Sequence, residues 1–305
     1  MQKKRKVKKQ LYDNEKLIAR NYSFRWQKRY ILWIPFALLS IIMVIIPLIL
    51  VFIITLLPTD GASVASNWSI LDGTIFAKIF KSFFVSIIST IICVLIAYPF
   101  CYFLSQTKSK AMKSIVFLIT TMPMWLGSLI ILVSLKSLLD KINGAMNSTY
   151  GDIFSIIGIV YLYIPYMMIP LYNSLNNMPK NLINASRDLG QNSFLTFFKV
   201  VLPYTKQALI SGITLVLLPS ITIVAVPKFL NNAPDSNLIG DIIMDQGILA
   251  SSSNIALARA CILSIVVSIL MFLVYGLIVI SPKLYSKINE MKSRYQTKKG
   301  VGKNG

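Results

Sequence analysis

Two sets of residues carry the chemical content of this chain. The first is a polar, basic stretch between two apolar runs, NLINASRDLGQNSFLTFFKVVLP, residues 181–203. Leu182, Ala185 and Leu189, then Phe194, Phe197, Phe198 and Val201, recur there at spacings of three and four, which gathers them on one face of a helix. Gly190 separates the two groups and permits a left-handed turn, so the segment reads as two short helices at an angle. Lys180, Arg187, Asp188 and Lys199 lie on or beside the polar side, and Pro203 opens the next apolar run where proline is tolerated. Such an element recognises a surface, either the lipid headgroup layer or a protein partner. The second set is aromatic and acidic: Trp125, Tyr161, Asp235, Asp241 and Asp245. Ring faces attract cations by about 0.5–2 kcal/mol each, and clustered carboxylates give a negative field. The same residues also read as interfacial belt aromatics and an ordinary solvated loop.

Bond-making chemistry has little to work with. The chain of 305 residues has no histidine, which removes the commonest general base and metal ligand. Cys93, Cys101 and Cys261 all lie inside apolar runs, the first two about 12 Å apart along one helix, so neither a disulfide nor a metal site is expected. No phosphate-binding Gly-rich loop, paired-cysteine ladder or nucleophile elbow is present. An enzyme is therefore not expected, and uphill movement of a solute would draw energy from another subunit or an ion gradient.

The elements that must position these residues are membrane spans. With 55% hydrophobic and 14% charged residues, the chain has too few charges to solvate so apolar a fold in water. Six runs are long enough to cross about 30 Å of hydrocarbon: 30–57, 79–104, 114–138, 153–175, 205–229 and 257–281. The first is too long for a signal h-region and no small-x-small site follows it closely. The expected organisation is a basic tail over 1–29, a six-helix membrane domain over 30–282 with a polar loop at 176–204, and a basic tail over 283–305. Prolines at 35, 47, 165 and 170 predict kinks or local unwinding in the first and fourth spans. Residues 60–72 and 139–152 read as polar connections.

Charge orients the chain. The tail before the first span carries about +9, the 105–113 and 176–206 loops about +3 each, and the tail after Ser281 about +6. They alternate with neutral or acidic loops, so every basic segment, both termini and the 181–203 element fall on the cytoplasmic side. The net charge of +20 is thus read as membrane orientation and contact with anionic lipid rather than nucleic-acid binding. Lys-, Asn- and Ile-rich usage suggests an AT-rich bacterial genome.

Asn184-Ala185-Ser186, then Gly190, then Val200-Val201-Leu202-Pro203 keep every spacing of the pattern EAA-x3-G-x9-I-x-L-P. In this the chain resembles the membrane subunits of bacterial ABC importers, with Asn184 for the Glu, Ser186 for the second Ala and Val200 for the Ile. Residues 185–203 (ASRDLGQNSFLTFFKVVLP), Pro123-Met124-Trp125 with Ser128-Leu129-Ile130, Leu218-Pro219-Ser220 and Asn237-Leu238-Ile239-Gly240 are similar to segments of the PotB-type subgroup of spermidine/putrescine permeases. That likeness runs from about Phe76 to Tyr285. One departure is SSSNIALA at 251–258, where the subgroup carries W-P-x-G-A-A.

The resemblance implies an all-α permease of six transmembrane helices with a cytoplasmic coupling helix, set in a bacterial cell membrane. Asn184, Ala185, Ser186, Arg187, Asp188, Gly190, Leu202 and Pro203 would form the contact with a cytoplasmic ATPase dimer, which binds ATP-Mg while this chain holds no cofactor. The other implied partners are a second, homologous permease of the PotC type and an external substrate-binding protein or lipoprotein. Polyamines are the implied cargo; phosphonate, iron or sulfate permeases share the scaffold. A secondary transporter is the other reading of the spans, although such carriers place ionisable groups inside them, and here only Lys136 and Arg259 lie near span ends.

Overall fold

The computed structural model describes residues 33–59, 63–146, 151–231 and 237–301. The expected tail at 1–29 and Asp235 lie outside these residues. Two compact units divide the chain, residues 1–57 and 58–305. In the first, α1 (Trp33–Leu56) is one continuous apolar helix, and Pro47 does not interrupt it.

The regular elements described in the second unit are helices. A short α2 (Val64–Trp68), capped by Ser63, precedes α3 (Gly73–Gln106), whose first turn is capped by the Asp72 carboxylate. Then follow α4 (Lys110–Thr121), a 3-10 turn (Met122–Trp125), α5 (Ser128–Met146) and α6 (Asp152–Asn176). The polar loop holds α7 (Lys180–Asp188) and α8 (Ser193–Thr196). A π turn (Phe197–Val201) carries α8 into α9 (Leu202–Ile221), after which come α10 (Ala225–Leu230), α11 (Ile239–Leu249) and α12 (Asn254–Val301).

Among the described residues, five helical segments are long and apolar enough to cross a membrane: Trp33–Leu56, Gly73–Gln106, Asp152–Asn176, Ser193–Ile221 and Asn254–Ile280. The third expected span, 114–138, is instead a broken pair, Lys110–Trp125 and Ser128–Ile142, bent by 97°. The count reaches six if that pair is one span. Pro123, without an N–H, and Gly127 flank the break, where an extended Leu126 donates its N–H back to the Pro123 carbonyl. The expected unwinding at Pro165 and Pro170 is absent, because both sit within a continuous α6. The fifth span starts earlier than expected and ends at Ile221 rather than 229, where the non-helical residues 222–224 separate α9 from α10. Residues 139–146, read as loop, continue α5, and no helix break marks residue 283.

Small residues set the central seam. Cys93, Ala97 and Cys101 lie at successive four-residue steps on α3 and are buried against Met167, Met168 and Leu171 of α6. The Cys93 and Cys101 thiols point at the Val160 and Met168 carbonyls, 3.9 and 3.7 Å away, and all three cysteines are free. Small side chains let helix backbones approach closely in a bilayer, where packing rather than water exclusion drives association. Two further clusters complete the unit: Ile79, Leu217, Ile221, Ile239 and Leu263 join α3, α9, α11 and α12, while Leu132, Ile159, Val226 and Leu230 join α5, α6 and α10. Phe76, Phe80, Phe84, Ile91 and Leu95 leave α3 with an apolar outer face, as do Phe272, Leu273 and Leu277 on α12. Faces of that extent belong against lipid or another membrane chain.

Candidate functional site

The 181–203 element folds as a hairpin corner. α7 ends when the Leu189, Gly190 and Gln191 amides turn back onto the Ala185, Arg187 and Ser186 carbonyls. Gly190 closes this turn at φ +78°, in the left-handed region that glycine enters without a Cβ penalty. Asn192 then caps α8, its side-chain oxygen 2.8 Å from the Leu195 amide. As expected from the sequence, Gly190 thus separates two helical pieces; the second is not short, because helix runs on from Ser193 to Ile221.

The inward face of α7 differs from the one periodicity suggested. Ile183 and Ser186 are buried, whereas Leu182, Asn184, Ala185, Arg187, Asp188 and Leu189 are exposed, Leu189 at 81%. The Ser186 hydroxyl lies 2.9 Å from that of Thr196, itself 1% exposed, and donates to the Gln191 side-chain oxygen at 3.2 Å. A buried hydroxyl pair of this kind resists separation because each partner would lose its hydrogen bond away from water. Beyond Thr196, the Phe197 ring meets the edges of Tyr98 and Tyr102 on α3 at centroid distances of 5.1 and 5.6 Å. Tyr98 in turn hydrogen-bonds Thr205 on α9. A continuous chain of contacts therefore leads from α7 through the corner to α3 and α9. Leu202 is half-buried and Pro203 exposed at the start of α9, directly after the widened π turn, which relieves the clash a proline makes with the carbonyl four residues back.

Lys113 ties two basic loops together at this end, donating to the Ser105 carbonyl (2.7 Å) and to Asn176 (3.1 Å). At the opposite ends of α3 and α6, Lys81 pairs with Asp152 at 3.0 Å, and Asn231 donates to the same carboxylate. Asp241 is 1% exposed: one oxygen accepts the Leu238 N–H at the start of α11, and the other is buried without a partner. Burial pushes its carboxyl up to about 6, against the pull of the Leu238 amide and Lys228. Asp245 pairs with Lys228 at 2.7 Å and holds that ammonium above its ordinary range. Neither aspartate is an unengaged charge: one caps a helix, the other closes an exposed ion pair.

Trp125 and Tyr161, the aromatic candidates, are both exposed, at 72% and 46%. Tyr163 and Tyr166, two and five residues further along α6 than Tyr161, line a cavity with Pro123, Ser128 and residues 223–225. They escaped sequence reading because both helix breaks had to be placed before any cavity existed.

A multi-span helical unit with small-residue seams, broken spans and a polar corner at one end defines an integral-membrane transport component. The chain belongs to the family of binding-protein-dependent transport system inner membrane components, whose model matches residues 95–284. It is 38% identical over 270 residues to the spermidine/putrescine transport system permease protein PotB homolog of Mycoplasma genitalium, covering 85% of this chain and 94% of that one. It is 32% identical to the Haemophilus influenzae permease PotB over 256 residues, covering 77% and 88%, and 32% identical to that of Escherichia coli over 219 residues, covering 68% and 78%. Among solved structures, the inward-facing MetNI methionine ABC transporter matches with TM-score 0.52 and 17% identity, over 70% of this chain and 95% of that one, a likeness of fold. The motif frame at Asn184–Pro203 therefore pointed to the right family, one of membrane permeases rather than enzymes. The chain is a multi-pass cell-membrane component of a binding-protein-dependent transport system.

Proposed function

We propose that this chain is a permease subunit of an ATP-driven polyamine importer, with α7 as the contact for the ATPase. The carrying observation is the 38% identity to a spermidine/putrescine permease over 94% of that protein's length. Exposed Asn184, Ala185, Arg187 and Asp188 form the docking face, and the Gly190 turn sets its angle to α9, which begins at Leu202 and Pro203. ATP-driven closure of an ATPase dimer pulls α7, and the corner passes that motion to α3 and α9. The spans then alternate between two states, each favoured by a different ligand, as coupled transport requires. ATP-Mg resides on the ATPase; a second permease of the PotC type completes the pathway, and an external binding protein delivers cargo. The basic loops and both termini face the cytoplasm.

The test is spermidine uptake into proteoliposomes that hold this chain, its partner permease and the ATPase, with binding protein outside. ATP-dependent uptake that survives an ionophore is the expected result. Uptake driven by an ion gradient without ATP would replace this reading with a secondary carrier.

A further inference from the structure

Two backbone breaks of the second unit, between α4 and α5 and between α9 and α10, open onto one cavity of about 340 Å³. Pro123, Met124 and Ser128 line it from the α4–α5 break, residues 223–225 from the α9–α10 break, and Tyr163 and Tyr166 from α6. Tyr163 is eleven residues from the start of α6 and thirteen from its end, so the cavity sits about 16–20 Å from either, near mid-bilayer depth. Non-helical backbone at that depth is tolerated where it lines a solvent-filled or protein-enclosed space, because lipid satisfies no amide or carbonyl. The volume is at the lower end of the 300–1,000 Å³ or so that small-molecule sites occupy.

Among the described residues, no Lys, Arg, Asp or Glu lines the cavity. Each break contributes the end of one helix and the start of the next, so the fields of the helix termini largely cancel. What remains is two aromatic faces, the Tyr163 and Tyr166 rings, 5.8 Å apart and tilted by 58°, together with hydroxyl and carbonyl oxygens. Such a lining attracts an alkylammonium group through ring faces and lone pairs. It has no fixed carboxylate to trap the ion. A site on a conduction path must hold its ion weakly enough to let it go, and this cavity meets that condition.

We infer that the Tyr163–Tyr166 cavity is the mid-membrane resting site for one ammonium group of a linear polyamine, this chain's half of the pathway. The inference rests on the proposed polyamine cargo and locates where that cargo passes. In binding-protein-dependent uptake the external receptor sets the apparent affinity, so loss of a mid-path site lowers the maximal rate and leaves KM unchanged.

The experiment uses the complete transporter in proteoliposomes. Spermidine uptake by the wild type tests the cargo; without it the polyamine reading fails, whatever the cavity does. Given that uptake, Tyr163→Leu/Tyr166→Leu is expected to lower the maximal rate by about tenfold, while KM and receptor-stimulated ATP hydrolysis stay within about twofold. Tyr163→Phe/Tyr166→Phe, which keeps both ring faces, retains most of the rate. Unchanged uptake in the leucine variant, or equal loss in both variants, overturns the inference. Ser128→Cys gives a second readout that needs no aromatic change, since Ser128 is exposed while the three native cysteines are buried. A cationic methanethiosulfonate should modify Cys at this position about tenfold faster than an anionic one, with protection by spermidine. An equal or faster anionic reaction contradicts the assignment.

Discussion

Ser186 on α7 and Thr196 on α8 share a buried hydrogen bond, 2.9 Å between hydroxyl oxygens, across the Gly190 turn. It fastens the polar corner into one piece: the family pattern's second alanine has become a serine, and a threonine ten residues on receives it. Removing the Ser186 hydroxyl leaves that of Thr196 unsatisfied, at about 1–3 kcal/mol, whereas without the Thr196 hydroxyl Ser186 still donates to Gln191. Replacing both with apolar groups of similar shape is expected to cost less than the two single changes together. Thermal unfolding of Ser186→Ala, Thr196→Val and the double variant in detergent, read by thiol labelling of buried Cys93 and Cys101, gives the coupling.

Gly190 at φ +78° has nothing within 4 Å of where a Cβ would stand, so any side chain there meets backbone strain and no clash. Gly190→Asn is expected to cost little, because asparagine visits this region, whereas the β-branched Gly190→Val should cost about 1–2 kcal/mol or more. Gly190→Asp, or deletion of residues 185–190, should abolish uptake while membrane insertion persists. Uptake assays beside quantitation of membrane-embedded protein separate the two.

Phe197 couples the corner to α3 through Tyr98 and Tyr102. Edge-on aromatic pairs contribute about 0.5–1.5 kcal/mol each beyond their buried area. Phe197→Leu should therefore lower stability by about 1–3 kcal/mol and reduce uptake per ATP hydrolysed. An unchanged transport-to-hydrolysis ratio would show that motion does not pass through this ring.

Asp241 makes a pH prediction. Its carboxyl is pushed up to about 6 from an ordinary value of 3.8, so the fold favours its protonated form. The sign follows: this contribution to stability is full below about pH 4 and is lost as pH rises through about 6. Asp241→Asn keeps an oxygen to accept the Leu238 N–H and carries no charge to bury. Melting temperature between pH 5 and 7.5 should fall more in wild type than in Asp241→Asn. Gly240→Ala beside it should destabilise at every pH, because a methyl group there sits 2.5 Å from the Thr222 carbonyl oxygen.

Local chemistry made the polar corner legible: a glycine after a short amphipathic run is a near-neighbour signal. The face of α7 was not legible in the same way. Ser186 is polar in sequence and buried in the fold, while Leu182 and Leu189 are apolar and exposed, because the inward direction is set by Thr196 and the helices around it. Hydropathy marked an apolar run at 114–138 but not the 97° bend between Lys110–Trp125 and Ser128–Ile142, since a broken pair and a straight helix have the same composition. Asp241 read as a mouth-lining charge because its burial depends on how α11 meets the 222–223 backbone.

The central claim is that α7 transmits ATP hydrolysis to the spans, and its outward face tests it most directly. Ala185→Arg/Leu189→Asp changes two exposed residues and spares the buried Ile183 and Ser186, so the fold should persist. ATP-dependent spermidine uptake by the reconstituted transporter is the measurement, beside retention of the ATPase on purification. Loss of uptake together with loss of the ATPase, at normal membrane levels of the chain, is the expected result. Wild-type uptake by this variant would contradict the account.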